Sequence, residues 1–301
     1  RVELDINDIP RTYDEIAAML LQHDRVLCIV NTRRDAKEIF DCLPDEGTRI
    51  HLSRMMCPAH VSEKIDEMKR ALNDPECKVV RVVSTQLIEA GVDIDFPVVY
   101  RQEAGLDSVL QAAGRCNREG KLPLCTTHVF SLAAEHPLPR GFITQCNNAR
   151  LNMVGEYDWF SREAMNDYFL QLYSRVHSFD KKDMKYYLYN KRELMFETAT
   201  REFRLIDDST IPVIVNWKDS LSLVEMLKSE GPTYNLVKKL GQYSVNLRKL
   251  DFDEMKKNGC ELYTMTPEDI KVWQAKTKPV WDLFVKENGE VGKKLIDMCT
   301  K

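Results

Sequence analysis

The sequence lacks any C-x-x-C pair, and its nine cysteines are an odd number spread along the chain. This pattern argues against a zinc site and a disulfide framework, and it favours reduced thiols packed as small apolar groups. No apolar run approaches the ~20 residues that span a bilayer, and the first ten residues contain no apolar signal core. The formal net charge is only −4. We therefore expect a cytoplasmic protein whose contacts with nucleic acid are local rather than global.

A phosphate-binding loop of the form G-x-x-x-x-G-K-[ST] is also missing. Gly120-Lys121 and Gly292-Lys293 have neither a glycine five positions earlier nor a following Ser or Thr. None of the Asp-Glu pairs ends an apolar strand pattern, and the six histidines, His23-Asp24 included, show no metal-ligand spacing. The sequence therefore predicts no nucleotide-cradling loop and no metal site of its own.

The fold class predicted from the residues is α/β, with a parallel sheet flanked by helices, followed by a mainly helical α+β domain. At this length two domains are expected, and the cluster of Pro137, Pro139 and Gly141 places the boundary so that the domains are 1–135 and 136–301. The predicted strands are 25–30, 49–52, 78–83, 98–101 and 127–130, with helices over 33–43 and from Pro58 to about residue 72.

The second domain has fewer signals. Ser161 is a predicted N-cap of a helix to about residue 176, and Thr266 of another to about 276. A hairpin is predicted from 203–206 and 211–216, with 243–247 as a possible third strand. Lysines and tyrosines at 181–192 could track a single strand of nucleic acid, as could the basic residues at 238–249. The alternative is an amphipathic segment with inward tyrosines and solvated lysines, and the four tryptophans are expected in the core.

Residues 82–120 contain most of the candidate ligand-binding residues. An apolar strand runs into Ser84-Thr85-Gln86, and ligands bind at the carboxyl ends of strands in parallel sheets. Hydroxyls and free N–H groups there could hold phosphate oxygens, although Ser84 and Thr85 could equally cap a short helix. Gly91-Val92-Asp93 then places a flexible residue and a carboxylate in a turn.

Two arginines follow in Gln111-Ala-Ala-Gly-Arg115-Cys-Asn-Arg118. Their spacing of three lets both guanidinium groups converge on one polyanion, and an arginine on the developing charge of phosphoryl transfer is worth about 10³ to 10⁵ in rate. The alternative is a pair of solvated arginines beside a helix C-terminus. For the functional interpretation, we expect both groups to face outward from the ligand-binding edge of the sheet, near the tip of strand 83–86.

Taken together, these segments resemble motifs V and VI of superfamily 2 helicases. STQLIEAGVDIDFPVVYR followed by AGLDSVLQAAGRCNREG is similar to the CRISPR-associated helicase-nuclease of type I systems, and EFRLIDD and TIPVIV look most like its type I-C form. The absence of an arginine directly after Gln111 favours this family over the RNA helicases. The resemblance implies that 1–135 is the second of two RecA-like motor domains and that 136–301 is an accessory domain.

The resemblance also implies residue roles. Arg115 and Arg118 match the family's arginines that contact ATP phosphates, so they are the implied catalytic residues. The other implied nucleotide-binding positions are Gly91, Asp93 and Gln111. The nucleic-acid backbone is contacted by a second group of residues, which are Asn31, Thr32, Ser84, Thr85 and Gln86.

The cofactors implied are ATP and Mg, shared with a first RecA-like domain that this chain lacks, so the chain alone is expected to be inactive. The implied partners are single-stranded DNA, the missing nuclease and motor domains, and an RNA-guided surveillance complex. Two alternatives stay open: a non-catalytic module that binds nucleic acid or protein, and another superfamily 2 motor acting on RNA or in restriction.

Overall fold

A computed structural model gives the fold. It describes residues 1–89, 91–133, 138, 141–175, 180, 183–189, 195–203, 210–231 and 233–248, together with eight single positions between 271 and 293. The chain divides into two compact units, one of 1–56 and 61–207 and one of 57–60 and 208–301.

A six-stranded parallel sheet forms the first unit, in the order β1-β6-β5-β2-β4-β3. Its strands are β1 Val2–Arg11, β2 Arg25–Val30, β3 Thr48–Leu52, β4 Val80–Thr85, β5 Val98–Gln102 and β6 Cys125–Leu132. The central strands are buried on both faces because helices cover both, which explains their nearly continuous β-branched and apolar sequences. The predicted α/β class and the five predicted strands are confirmed, whereas the sequence patterns do not predict β1.

Helices alternate with the strands as the predicted pattern requires. They are α1 Tyr13–Leu20, α2 Arg33–Cys42, α3 Pro58–Asn73 and α4 Leu106–Ala113, and a 3₁₀ turn, Gln86–Ile88, follows β4. Thr32 caps α2, since its hydroxyl accepts a hydrogen bond from the Asp35 N–H at 3.0 Å. Helix α4 begins just after the carboxyl end of β5 and therefore runs back across the sheet towards the amino ends of the strands.

Two further helices, α5 Phe142–Leu151 and α6 Arg162–Ser174, pack on α4 within the first unit. Tyr168 of α6 is fully buried, and its hydroxyl donates to Asp107 Oδ1 of α4 at 2.7 Å. The compact unit thus extends past the predicted boundary at 135, because apolar side chains of α5 and α6 share a core with Leu106. Ser161 caps α6 as predicted. Two short helices, α7 Met184–Tyr189 and α8 Phe196–Glu202, complete the described part of this unit.

The second unit contains α9 Ser220–Glu230, α10 Tyr234–Gly241 and an antiparallel pair, β7 Thr210–Ile214 with β8 Ser244–Arg248. Strand β7 therefore pairs with the segment predicted as a possible third strand. Of the other predicted hairpin strand, 203–206, only Phe203 is described, and it directly follows α8. Of the helix predicted over 266–276, only positions 271 and 275 are described. Five of the predicted basic residues lie outside the described residues: Lys181, Lys182, Lys191, Arg192 and Lys249. Val245 and Leu247 form a small core with Cys57.

Candidate nucleotide and nucleic-acid site

The tip of β4 holds three of the predicted site residues. Ser84 is fully buried, and its hydroxyl donates to the Thr85 carbonyl at 2.8 Å. The Thr85 hydroxyl is buried without a hydrogen-bond partner, and it does not cap the following 3₁₀ turn. Gln86 is half-buried. The simple capping role is therefore absent, which leaves an unsatisfied buried hydroxyl at the edge where ligands of parallel sheets bind.

Arg115 points inward. It is 7% exposed, and its Nε and Nη2 donate to the carbonyls of Ile88 and Glu89 at 3.2 and 2.6 Å. These carbonyls belong to the end of the 3₁₀ turn, where acceptors without a helical partner need a donor. Burial lowers the pKa of Arg115, and the neighbouring positive charge of Arg118 lowers that pKa further.

Arg118 is the accessible member of the pair, with 44% of its side chain exposed. Its Nε lies 2.9 Å from Asp93 Oδ1, and the Asp93 side chain is 82% exposed. Gly91 has a φ of +77°, a conformation that favours glycine, so this residue lets the chain turn towards Asp93. The structure thus brings Gly91, Asp93, Arg115 and Arg118 into one region, and their contact with a nucleotide stays a prediction.

The expected orientation of the two arginines at the ligand-binding edge is wrong. The Phe96 N–H donates to the Arg115 carbonyl at 3.0 Å, and the Asn117 N–H donates to the Phe96 carbonyl at 2.9 Å. Phe96 lies two residues before β5, so the backbone of 115–118 is at the amino end of that strand. The reason is the direction of α4, which carries the chain from one edge of the sheet to the other. Only the Arg115 side chain reaches back to the turn after β4.

Three predicted residues stand apart from this arginine region. Gln111 is exposed on α4. The Asn31 side chain accepts from Arg101 Nη1 at 2.9 Å and donates to the Glu103 carbonyl at 2.8 Å, while Thr32 caps α2. Asn31 and Thr32 directly follow β2, which neighbours β4, so they lie at the same edge of the sheet as Thr85.

A buried ion pair that the motifs did not single out lies between these groups. Arg101 of β5 is fully buried, and its Nε lies 2.8 Å from Glu89 Oε1. The Ser108 hydroxyl of α4 lies 2.9–3.0 Å from both Glu89 carboxylate oxygens. Burial raises the pKa of Glu89, and Arg101 opposes that shift. The sequence shows only that both charged residues lie in otherwise apolar segments, which does not identify them as partners.

A second polar cluster lies within the sheet. Tyr100 stacks on His128 with 4.6 Å between ring centroids, and its hydroxyl lies 3.1 Å from His23 Nε2. His128 Nδ1 lies 2.8 Å from Asp5 Oδ2.

In the part of the chain that the structure describes, no group of three or more His, Cys, Asp or Glu side chains could hold a metal ion. No helix among the described residues is long and apolar enough to cross a membrane.

Comparison with known proteins identifies the segment that holds these features. Residues 22–121 match the family profile described as CRISPR-associated nuclease/helicase Cas3, C-terminal. This segment is similar to the C-terminal region of Cas3. Its curated relatives include the Cas3 nuclease/helicase of Methanothermobacter thermautotrophicus, 31% identical over 114 residues, and that of Haloferax volcanii, 62% identical over 37 residues. The aligned stretches span 37% and 12% of this chain but only 14% and 4% of those proteins.

Solved Cas3 structures share the fold. The chain aligns with a crystal structure of T. fusca Cas3-ADP at a TM-score of 0.56 and 15% identity, covering 82% of this chain and 36% of that one. The AMPPNP form of the same protein gives a TM-score of 0.52 at 16% identity, with the same coverage of both chains. These likenesses confirm the RecA-like α/β architecture that the motifs predict.

Proposed function

We propose that this chain supplies the arginine half of an ATP site and part of a single-stranded DNA channel in a Cas3-type helicase-nuclease of a type I CRISPR system. The observation that carries the proposal is the meeting of two motif segments within the Cas3 C-terminal match. Arg118 pairs with Asp93, and Arg115 binds the carbonyls of Ile88 and Glu89.

The charge arrangement suits a triphosphate. Two guanidinium groups lie close enough for Arg118 to lower the pKa of Arg115, so an anion beside them would relieve their repulsion. The exposed Arg118–Asp93 pair is weak and easily exchanged, since surface ion pairs contribute about 0–1 kcal/mol. An incoming phosphate therefore competes with Asp93 for Arg118, while Arg115 holds the turn that ends at Gly91. Gln111, which is exposed on α4 apart from this region, is proposed as a nucleotide contact on the resemblance alone.

The nucleotide itself would supply the transferable phosphoryl group, and its Mg would come with it from the other wall of the cleft. Hydrolysis needs both walls, because positioning and charge stabilisation account for nearly all of phosphoryl-transfer catalysis. The chain alone is accordingly proposed to be inactive. The second wall and the nuclease would belong to domains upstream of this chain.

The carboxyl edge of the sheet is the proposed DNA contact. Asn31, Thr32, Ser84, Thr85 and Gln86 lie at the ends of the neighbouring strands β2 and β4. Backbone N–H and hydroxyl groups at such an edge bind phosphates without reading sequence, as a translocating motor requires. By the same resemblance, an RNA-guided surveillance complex would deliver the opened strand. We assign the type I-C form on EFRLIDD and TIPVIV, and the first of these lies largely outside the described residues.

The test is ATP hydrolysis by this chain alone and by the longer protein in which we place it. The longer protein should hydrolyse ATP in a reaction stimulated by single-stranded DNA, and the isolated chain should show no turnover above buffer. DNA-stimulated hydrolysis by the isolated chain, abolished by Arg115→Ala, would show that the proposed half-site is wrong. Stronger stimulation by RNA than by DNA would favour another superfamily 2 motor.

A second candidate function follows from the inward position of Arg115. A guanidinium already satisfied by two carbonyls fits a module that binds nucleic acid without serving a motor. Such a module would bind single-stranded DNA with a salt-dependent affinity that ATP does not change, even with the upstream domains present. A nucleotide-dependent affinity would exclude it.

A further inference from the structure

The buried Arg101–Glu89 ion pair connects the turn after β4 with the turn after β2, which carry different helicase motifs. We infer that Arg101 is a positioning residue that holds the turn bearing Glu89 and the turn bearing Asn31 in one fixed arrangement. This inference rests on the proposed function for its DNA readout. Its structural part can be tested whether or not the chain belongs to a motor.

Each nitrogen of the Arg101 guanidinium lies beside a different element. Nε lies 2.8 Å from a Glu89 carboxylate oxygen in an ion pair without hydrogen-bond geometry, and Nη2 donates to the Ser108 hydroxyl at 2.9 Å. Nη1 donates to Asn31 Oδ1 at 2.9 Å and to the Gln102 carbonyl at 2.8 Å. A planar fork with fixed donors can serve three directions at once, whereas an ammonium group cannot reach the same set.

Glu89 connects Arg101 to the arginine region, because it contacts both Arg101 and Arg115. Its carboxylate is held by Arg101 and Ser108, and its backbone carbonyl accepts from Arg115 Nη2 at 2.6 Å. The turn after β4 is therefore fixed through its side chain from one direction and through its backbone from another. A shift of Glu89 would move the acceptor on which Arg115 rests.

Asn31 connects Arg101 to the carboxyl edge of the sheet, because Arg101 donates to its side chain. Asn31 makes two further hydrogen bonds with residues at the end of β5. The Asn31 N–H donates to Gln102 Oε1 at 2.7 Å, and Asn31 Nδ2 donates to the Glu103 carbonyl at 2.8 Å. One amide hydrogen and one carbonyl lone pair of the side chain remain available. Asn31 directly precedes Thr32, the cap of α2, so its position sets where that helix begins.

Stability alone does not explain this pair. A buried ion pair is often no more stabilising than well-packed apolar side chains of similar volume, and its best-attested benefit is a defined arrangement of the parts it joins. A fully buried arginine that touches β2, the turn after β4 and α4 together fits that role.

The first test uses this chain and a fluorescent oligothymidylate, with affinity measured by anisotropy. Arg101→Lys keeps the positive charge beside Glu89 but loses the fork, and we expect it to weaken binding about tenfold, as should Asn31→Ala. If Arg101 acts through Asn31, the double variant should lose only about tenfold in total rather than the product of the two losses. An additive loss of about a hundredfold, or unchanged affinity in Arg101→Lys, would overturn the inference.

The second test needs no ligand. Hydrogen exchange of the same chain should rise in both turns, 31–34 and 86–93, in Arg101→Lys. The matched control is Arg25→Lys, because Arg25 also holds several backbone carbonyls, those of Leu72, Asp74 and Cys77, at the amino end of β2. Faster exchange in only one of the two turns, or an equal rise in the control, would contradict the inference.

Ser108→Ala is the milder variant if Arg101→Lys does not fold. It removes one partner from both Arg101 and Glu89, and it should raise exchange in the same two turns. Failure of the proposed function looks different from failure of the inference: the unmodified chain then shows no affinity for the oligonucleotide, while the exchange pattern still shows whether Arg101 links the two turns.

Discussion

The contrast between Arg115 and Arg118 leads to a prediction that separates catalysis from stability. Arg118→Ala removes an exposed ion pair, so the free energy of unfolding should change by less than about 1 kcal/mol. Arg115→Ala leaves the buried carbonyls of Ile88 and Glu89 without donors, which should cost roughly 2–4 kcal/mol. In the longer protein, Arg118→Ala should nevertheless reduce the turnover of ATP by about 10³-fold or more, the usual effect of losing an arginine that stabilises the transferring phosphoryl group.

The assay pairs urea unfolding of this chain with DNA-stimulated ATP turnover of the longer protein. Arg201→Ala is the matched control, since Arg201 is another exposed arginine in a surface ion pair, with Glu202 at 3.2 Å, and it should change neither quantity. Turnover within threefold of the unmodified protein in Arg118→Ala would refute a catalytic role for this residue. Equal losses of stability in the two variants would refute the distinction between a buried and an exposed guanidinium.

Three further predictions concern stability. Burial, with a smaller contribution from His128, lowers the pKa of His23 below its ordinary value of 6.5, so the unfolded chain binds a proton that the folded chain does not. The free energy of unfolding should therefore fall as the pH drops below about 6.5, and His23→Gln should flatten that slope in urea titrations at several pH values. Gly105→Ala would place a Cβ 2.6 Å from Asp107 Oδ1, so we expect a loss of about 1–3 kcal/mol in urea unfolding, and an unchanged midpoint would contradict this packing. Thr85→Val removes an unpaired buried hydroxyl and should raise the free energy of unfolding by about 1 kcal/mol, whereas a loss would show that the hydroxyl has a partner.

The sequence predicts the sheet well where hydrophobic patterning and caps agree. Strand β2 has the predicted bounds, and α2 has the predicted cap at Thr32. Strand β1 is missed although Val2, Leu4 and Ile6 alternate with acidic and polar residues, which is the pattern of a half-buried strand. The turn-forming residues Asn7 and Asp8 and the proline Pro10 near its end obscure that pattern. The inward side chains of this strand, Leu4 and Ile6, pack against a small core that only tertiary contacts define.

The candidate site is predictable in its composition but not in its geometry. The structure places Asp93 and Arg118 together because Asp93 precedes β5 and Arg118 follows α4, and both segments lie at the amino end of β5. Their contact with a nucleotide stays a prediction. The inward orientation of the Arg115 side chain depends on which carbonyls the 3₁₀ turn leaves unpaired. The hydrophobic periodicity of the sequence does not predict which carbonyls these are. Likewise, Glu89 and Arg101 are recognisable as a pair only once β4 and β5 are known to lie on either side of β2.

The parallel pairing of β1 with β6 has a consequence for how the chain is made. Strand β1 finds its sheet partner only when Cys125–Leu132 has been synthesised. At about 5–20 residues per second, this delay is on the order of 6–24 s on the ribosome. For that time the nascent chain carries a strand without its neighbour, so the last parallel pairing, rather than any helix, sets when this sheet can be completed.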